Sequence, residues 1–260
     1  MTRAVETRAR GFPHLETGWP GHPLVAGITL RTAGDGGRGG RDPALEGLRS
    51  WAAGRFEGLV GGLQVHGARL YDTRGLTVPG SDAADGPFLL RVAGVDGILA
   101  DRPGLLLTVG VADCVPALLY APRAGVLALL HAGWRGIAAG IVPAALERFS
   151  EAGVRPADIL AWWGPAIGPC CYPVGEEVVE ALKATEAGPE PDGWVHPGPH
   201  GSRVDLRAAL SRQAEAWGVP GSAITASDLC TSCASDLFYS YRRDPTGGRM
   251  LAFAGLPARG

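Results

Sequence analysis

The sequence predicts one α/β (α+β) domain in which a mixed β-sheet core is flanked by helices in a layered arrangement. The chain has 260 residues, 46% of them hydrophobic, which is enough to bury a sizeable core without disulfides. Short apolar runs bounded by Gly and Pro are dense in the N-terminal half, and helical periodicity follows. Short connections between the strands favour hairpins and a mixed sheet over a regular βαβ array.

Each strand is predicted where a short apolar run lies between turn-forming residues. The predicted strands are 24–30, 63–66, 97–100, 105–111, 117–120, 126–131, 159–163 and 250–256. Apolar residues with a period near 3.6 predict helices at 136–150, 175–185 and 206–217. The alternation of these two patterns supports the mixed fold class.

Three segments are expected to be flexible: residues 1–20, the Gly- and Arg-rich loop 33–43, and the Gly- and Pro-rich loop 187–201. Composition is the same on both sides of each loop, so we expect one domain over residues 1–260. The first loop contains a G-x-G-x-x-G that begins at Gly34. We interpret it as flexible chain, because Pro43 and its neighbours do not indicate a helix opening at the third glycine.

Charge and composition exclude several function classes. The formal net charge is −2 and no basic stretch stands out, so we expect no nucleic-acid partner. Lys183 is the one lysine, which removes P-loop and most Schiff-base chemistry. Residues 1–10 lack the apolar run of a secretory signal, and no apolar stretch could span a bilayer. We therefore expect a cytoplasmic protein without membrane contacts, whose five cysteines are free thiols, ligands or catalysts.

Three metal-ligating side chains each follow an apolar run and lie beside a turn-forming residue: His66, Cys114 and His131. This pattern delivers a side chain to the edge of a sheet, where a ligand can reach it. Two imidazoles and a thiolate leave a fourth coordination position open, as in catalytic zinc sites. The alternative is that the histidines are hydrogen-bonded structural residues and that Cys114 is a small buried hydrophobe.

The small number of imidazoles argues against a multicopper oxidase. The chain has six histidines and no H-x-H pair, whereas blue and multinuclear copper sites need many imidazole ligands. A His–Cys site would still bind Cu²⁺ more tightly than Zn²⁺, so copper binding in vitro is expected to be possible. Zinc is the expected cofactor.

Five sequence blocks carry a resemblance to a known family. They are QVHG at 64–67, ADCVP at 112–116, HAGWRG at 131–136, GPAIGPCCYPVGEEV at 164–178 and CTSCASDLFYSYRRDPTGGR at 230–249. In this order they resemble the laccase-domain purine nucleoside phosphorylase family, historically labelled multicopper polyphenol oxidase-like.

The resemblance implies a layered, mixed β core with flanking helices and one zinc ion held by His66, Cys114 and His131. It also implies phosphorolysis of adenosine, inosine and methylthioadenosine, together with adenosine deamination. Purine nucleosides and phosphate are therefore the expected partners. The number of subunits stays open, with a monomer slightly favoured.

Residue roles follow from this implied chemistry. The expected catalytic residues are Cys114, His131 and Arg135, and the expected substrate-binding residues are Arg31, Gln64, Tyr172 and Arg242. Arg135 is the best phosphate clamp, since guanidinium binds oxyanions in a bidentate manner. Arg243 is a further candidate, and Asp113 ranks low because alternation along a strand would point it away from the site.

The remaining cysteines are expected to be buried thiols that line the cleft. Cys230 and Cys233 form a C-x-x-C without a second such pair, and the adjacent Cys170 and Cys171 are not expected to complete a zinc site. A redox or disulfide role is the alternative.

Three functions remain open at this point. The first is the zinc-dependent phosphorylase and deaminase. The second is a metal-free hydrolase or deamidase in which Cys114 and His131 form a thiolate–imidazole pair. The third is a copper-dependent polyphenol oxidase-like activity or a non-catalytic metal-binding protein.

Overall fold

Two stacked β-sheets with helices on both outer faces form the molecule. The computed structural model describes residues 5–7, 13–35, 42–77, 86–185, 193–198, 201–245 and 247–258. Within these ranges the strands are β1 Val5–Thr7, β2 His14–Thr17, β3 Val25–Thr29, β4 Gly58–Leu63, β5 Leu70–Asp72, β6 Phe88–Ala93, β7 Gly97–Ala100, β8 Leu105–Val111, β9 Val115–Ala121, β10 Val126–Ala132, β11 Leu160–Trp163, β12 Pro173–Val174, β13 Val195–Gly198, β14 Gly201–Val204, β15 Ile224–Ala226 and β16 Met250–Gly255. The α-helices are α1 Pro43–Ala52, α2 Trp134–Ala138, α3 Ile141–Glu151, α4 Glu176–Lys183 and α5 Leu206–Ala216.

Both large sheets mix parallel and antiparallel pairs. The first has the order β1-β2-β3-β16-β8-β4-β6, and the second has the order β15-β11-β9-β10-β7-β5. In the first sheet β8 pairs antiparallel with β16 and parallel with β4. In the second, β10 forms antiparallel pairs with β9 and β7, while β5 runs parallel to β7. A small third sheet has the order β12-β14-β13. The predicted mixed fold class is confirmed.

Side-chain alternation along the central strands separates the core into layers. Leu107 of β8 and Leu118 of β9 belong to the cluster between the two sheets, whereas Leu106 faces α1 and Leu119 faces the helices α2 to α5. Residues one apart in a strand point to opposite faces, so each central strand contributes to two apolar layers. Nearly every side chain of these strands is buried, which explains their continuous apolar runs.

Helix α1 was not expected from the sequence. It begins at Pro43, directly after Asp42, whose side chain accepts a hydrogen bond from the Leu45 N–H at 2.8 Å. Proline is favourable in the first helical turn, because its missing N–H would have no partner there. Taking Pro43 as evidence against a helix was therefore wrong, and the expected loop 33–43 ends before it. Residues 36–41, which include two glycines of the G-x-G-x-x-G, lie outside the described residues.

Two segments expected to be flexible contain strands. Within 187–201, β13 and β14 form an antiparallel hairpin that pairs Gly198 with Gly201, so the loop expectation is wrong for the described part. Within 1–20, β2 pairs with β3 and its residue His14 is buried. Gly- and Pro-rich composition misled here, because pairing with a neighbouring strand can order such chain. No helix among the described residues is long and apolar enough to cross a membrane.

Candidate active site

His66, Cys114 and His131 converge at one end of the two sheets. One potential ligand atom from each residue lies within 4.8 Å of the others, and the two imidazole centroids are also 4.8 Å apart. His66 follows β4 of the first sheet, Cys114 connects β8 to β9, and His131 is in β10. The three residues therefore come from both sheets, and the stacking of the sheets brings them together.

Unusual backbone conformations at two of these segments direct their side chains toward the site. His66 has φ 63° and Asp113, directly before Cys114, has φ 90°. Asp and His are among the non-glycine residues that enter this region more readily than others. A Cβ added at Gly133 would lie 2.8 Å from Cys114 Sγ, so glycine is required for the close approach of the chain to the thiol. Such local strain is common at functional sites.

Asp96, which sequence reasoning missed, holds the histidine segments in place. Its buried carboxylate accepts hydrogen bonds from the backbone N–H groups of Val65, His66 and Gly67 at 3.1, 2.9 and 2.8 Å. The same carboxylate lies 2.9 Å from His131 Nδ1. This contact favours the proton on Nδ1 and leaves Nε2 as the free ligand atom. An acidic residue directly before the predicted strand 97–100 was the one available signal.

Charge coupling shifts the pKa values of the Cys114–His131 pair in opposite directions. Burial opposes the thiolate, but the charge of His131 and hydrogen bonds from both histidines lower the pKa of Cys114 to about 6. Burial likewise opposes the imidazolium, but Cys114 and Asp96 raise the pKa of His131 to about 9. In the metal-free chain, a thiolate–imidazolium pair therefore persists between these two pKa values.

This pair predicts the pH dependence of Cys114 alkylation. Because the thiolate is the reactive form, the metal-free protein should react with iodoacetamide at Cys114 with a midpoint near pH 6, and slow only below it. Peptide mass mapping of the Cys114 segment after timed alkylation across pH 4–10 measures this midpoint. A midpoint at the ordinary thiol pKa would contradict the coupling. Zinc loading should slow the reaction at every pH.

Asp113 points into the protein and supports the cavity wall. Its carboxylate accepts hydrogen bonds from Thr231 Oγ1 at 2.6 Å and from the Arg242 backbone N–H at 2.7 Å. Asp113 nevertheless lines the same cavity as Cys114, whereas alternation along the strand was expected to point it away from the site. Asp113 fixes the C-terminal segment that carries Arg242 beside His66, Cys114 and His131.

A cavity of about 600 Å³ opens beside the three converging residues. Its lining includes His66, Cys114 and His131, the aromatic residues Trp134, Tyr172 and Tyr241, and the arginines Arg91, Arg135, Arg242 and Arg249. Sequence reasoning did not identify Arg91 and Arg249, which come from β6 and from the segment before β16. Arg91 is paired with the Asp42 carboxylate at 3.4 Å, and the guanidinium groups of Arg135, Arg242 and Arg249 favour an anionic ligand.

Arg135, Arg242 and Tyr172, three of the residues expected to act on substrate, line this cavity. The Arg135 guanidinium stacks on the Trp134 ring at 4.3 Å, and that of Arg242 stacks on Tyr172 at 5.1 Å. Arg242 also donates a hydrogen bond to the carbonyl of Pro173 at 3.2 Å. Burial, followed by the negative charge of Cys114, raises the pKa of Tyr172 to about 12, which keeps its hydroxyl protonated at neutral pH. These contacts orient both guanidinium groups without neutralising them.

The side chain of Gln64, by contrast, already forms hydrogen bonds within the protein. It lines the cavity, yet its side-chain amide donates to the Gly110 carbonyl and accepts from the Gly110 N–H, both at 2.8 Å. This reciprocal pairing connects the end of β4 to β8. The side chain therefore supports the first sheet next to His66.

Arg31 and Arg243 lie outside the set of described residues that line the cavity. The Arg31 guanidinium stacks on Tyr239 at 5.3 Å and donates to the Ser235 carbonyl at 3.2 Å. That of Arg243 donates to the carbonyls of Thr231, Ser232 and Phe238. The placement of Arg31 in the substrate site is therefore corrected: packing against the C-terminal segment directs it away.

Four cysteines form a second cluster. The sulfur atoms of Cys170, Cys171, Cys230 and Cys233 all lie within 4.8 Å of one another. The expectation that adjacent Cys170 and Cys171 cannot complete a four-sulfur arrangement is wrong. An isolated parallel β-bridge between the backbones of Ala166 and Cys230 brings the two segments together. Cys170 and Cys233 are also exposed, so these two are not the buried thiols that were expected.

The comparisons with known proteins agree with this architecture. Residues 46–257 match the family model described as multi-copper polyphenol oxidoreductase laccase. The purine nucleoside phosphorylase YlmD of Geobacillus stearothermophilus is 43% identical over 80% of this chain and 76% of its own length. The adenosine deaminase RL5, from an unknown prokaryotic organism, is 37% identical over 58% of this chain and 57% of its own length.

The fold has a solved counterpart. The crystal structure of YlmD from Geobacillus stearothermophilus superposes with a TM-score of 0.82 at 37% identity, covering 98% of this chain and 99% of the other. Residues 46–257, which the family model matches, include all five sequence blocks and His66, Cys114 and His131. The chain belongs to the multi-copper polyphenol oxidoreductase laccase family, the laccase-domain family that its sequence blocks resemble.

Proposed function

We propose that this protein is a zinc-dependent purine nucleoside phosphorylase that also deaminates adenosine. The observation that carries the proposal is a set of three ligand atoms within 4.8 Å beside a cavity lined by four arginines. The names of the relatives, purine nucleoside phosphorylase and adenosine deaminase, support the same substrate class.

The residues present fit a zinc ion. His66, Cys114 and His131 supply two nitrogens and one sulfur, a donor set that zinc accepts, and three protein ligands leave a position for substrate. The Asp96 carboxylate contacts Nδ1 of His131, as a carboxylate usually does behind a zinc-binding histidine. When bound, zinc would supply Lewis-acid polarisation of a substrate or phosphate oxygen, or acidify a water molecule.

Arg135 and Arg242 would bind the phosphate. Guanidinium groups recognise phosphate oxygens through paired N–H donors, and stacking on Trp134 and Tyr172 restricts both side chains in advance. Arg249 adds positive charge to the same cavity, whereas the charge of Arg91 is offset by Asp42 at 3.4 Å. The bound phosphate attacks the ribose carbon as the bond to the purine breaks, so the products are the free base and ribose 1-phosphate.

Tyr172 and Tyr241 would contact the nucleoside. Their rings offer apolar faces for a purine, and the raised pKa of Tyr172 keeps a hydroxyl donor available at neutral pH. A hydrogen bond to a purine nitrogen would stabilise the departing base, which gains negative charge. Tyr241 is 51% exposed, so it lies at the entrance of the cavity.

A metal-free hydrolase is the second candidate, favoured by the thiolate–imidazolium pair of Cys114 and His131. In that case Cys114 would be the nucleophile rather than a ligand. Chelation separates the two candidates, because a thiol hydrolase keeps its activity without metal whereas the proposed phosphorylase loses it. Copper-dependent oxidation is disfavoured because a multicopper site needs more imidazoles than His66 and His131 provide.

A product assay tests the proposal. Adenosine, inosine and methylthioadenosine are each incubated with chelator-free protein, with and without phosphate, while zinc is quantified in the same sample. We expect free base and sugar 1-phosphate to form only with phosphate, and inosine to form from adenosine in its absence. Base release that does not depend on phosphate, at full zinc occupancy, would refute phosphorolysis.

Arg135→Ala should reduce phosphorolysis more than deamination. Loss of one charged hydrogen-bond donor should lower kcat/KM for phosphate by about 10–100-fold, whereas deamination uses water and should fall much less. Both products are measured on adenosine at matched zinc content. Arg123→Ala, which removes an exposed arginine from the β9–β10 turn, is the control. Equal losses of both activities in Arg135→Ala would argue against a phosphate-binding role.

A further inference from the structure

We propose that Cys170, Cys171, Cys230 and Cys233 form a second, structural zinc site, separate from the cavity. Their four sulfur atoms lie within 4.8 Å of one another. Four thiolates are a complete tetrahedral donor set, and closed sites of this kind are structural rather than catalytic. This inference does not depend on the proposed function, because no member of the cluster lines the cavity of about 600 Å³.

The sulfur separations are those of a metal site rather than of a disulfide. Cys233 Sγ lies 3.6 Å from Cys170 Sγ and 3.4 Å from Cys171 Sγ. Tetrahedral Zn–S bonds of roughly 2.3 Å place sulfur pairs roughly 3.8 Å apart, whereas a disulfide bond is about 2.05 Å long. Cys233 also approaches two different cysteines about equally, so the geometry selects no single disulfide partner.

Several backbone N–H groups point at the sulfur of Cys230, as they would at a bound anion. The N–H of Gly168 donates to Cys230 Sγ at 3.2 Å, and the N–H groups of Ser232 and Cys233 are directed at the same sulfur. Three N–H donors, one from the Gly168 segment and two from the turn after Cys230, favour a negatively charged sulfur. A neutral thiol would use few of these donors, whereas a metal-bound thiolate would use all of them.

The chain around the cluster is shaped for close approach and for negative charge. A Cβ at Gly168 would lie 3.3 Å from Cys170 Sγ and 3.4 Å from the Cys230 Cβ, so a side chain there would crowd the sulfurs. The buried Arg207 guanidinium donates to the carbonyl of Leu229, directly before Cys230. A zinc ion with four thiolates carries a net charge of −2, which this neighbouring cation would stabilise.

The cluster joins the two segments that form one wall of the cavity. Cys171 is followed by Tyr172, and the Cys230–Cys233 segment carries Thr231, which donates to Asp113. Asp113 in turn accepts from the Arg242 N–H. A metal at the cluster would therefore fix the relative positions of Tyr172 and Arg242 without contacting substrate, and its loss should loosen both.

Metal counting tests the proposal. Protein purified under reducing, chelator-free conditions is analysed for zinc as wild type, as His66→Asn, as Cys233→Ser and as the double variant. We expect about two zinc ions in wild type, about one in each single variant and none in the double variant. Cys233 is exposed, so its substitution should preserve the fold, and Ser232→Ala is the matched control, expected to keep both ions.

Cobalt substitution supplies a second measurement that needs no variant of the cluster. Co²⁺ bound to four thiolates should give sulfur-to-metal charge-transfer absorption about four times that of a single-thiolate site, and His66→Asn should retain it. Wild-type protein with one zinc and His66→Asn with none would overturn the second site. So would a mass deficit showing that two of the four cysteines are disulfide-bonded in protein as purified. Failure of the cavity site would instead appear as retained zinc in His66→Asn and none in Cys233→Ser.

Discussion

Cys114→Ala is expected to lose the metal of the cavity site and to lower the phosphorolysis rate at least about 100-fold, while the fold survives. Loss of a group that only hydrogen-bonds to a metal ligand typically lowers metal affinity or activity by about 10–100-fold, and Cys114 would be a direct ligand. The side chain lies in the connection between β8 and β9 and is only partly buried, so its removal leaves little cavity in the core.

Zinc content, turnover and the circular-dichroism melting curve of Cys114→Ala should be measured on one preparation. A companion variant, His66→Asn, removes a ligand from an exposed position and keeps a residue type that tolerates the φ of 63°. It should lose zinc and activity in parallel, whereas His22→Asn, at an exposed histidine outside the cavity lining, should lose neither. Full zinc retention at the cavity in Cys114→Ala would refute the ligand assignment.

Asp96→Asn is expected to weaken zinc binding and to destabilise the fold, although it only replaces one carboxylate oxygen with an NH₂ group. The carboxylate accepts from three backbone N–H groups and faces His131 Nδ1. An amide of the same shape has one acceptor atom, so it must turn an NH₂ group toward donors. Leaving such a buried donor unsatisfied costs about 1–3 kcal/mol, and the preferred His131 tautomer is lost.

We therefore expect Asp96→Asn to weaken zinc binding by about 10–100-fold and to lower the free energy of unfolding. Competition with a zinc chelator and chemical denaturation measure the two effects, with Asp101→Asn, at an exposed acid one strand away, as the control. Burial opposes ionisation of Asp96, but His131 and the N–H donors lower its pKa below the ordinary value. The ionised Asp96 therefore stabilises the folded wild type, and this stabilisation should be lost as the pH falls through the lowered pKa of Asp96. Asp96→Asn should lack this pH-dependent part of the free energy of unfolding. Unchanged affinity and stability would remove Asp96 from the site.

The central strands and the convergence of His66, Cys114 and His131 were predictable from sequence because local pattern and tertiary role coincide there. Strands 97–100 and 105–111 were predicted with the observed bounds, since long apolar runs at the centre of stacked sheets leave little ambiguity. His66 follows β4, Cys114 follows β8 and His131 lies near the end of β10, so all three are placed at strand ends. The predicted helix 136–150 is instead two helices, separated at Gly140, whose φ of 77° no continuous helix accommodates.

The remaining features depend on contacts between distant segments. Asp96 carries no motif, and its importance comes from the chain turn at 65–67 folding over it. The four cysteines meet because residue 166 pairs with residue 230, which no spacing rule reveals. The position of Arg31 after an early strand suggested a substrate-binding role, yet its side chain packs on Tyr239. The sequence thus predicted the three converging residues better than the residues that support them.

The most direct test of the central claim is an anomalous difference map from crystals of zinc-loaded protein, with data collected on both sides of the zinc absorption edge. The account predicts a peak at the cavity, about 2.0–2.1 Å from one nitrogen each of His66 and His131 and about 2.3 Å from Cys114 Sγ, with one position open toward the cavity. Fully loaded crystals with no peak bonded to these three residues would contradict it.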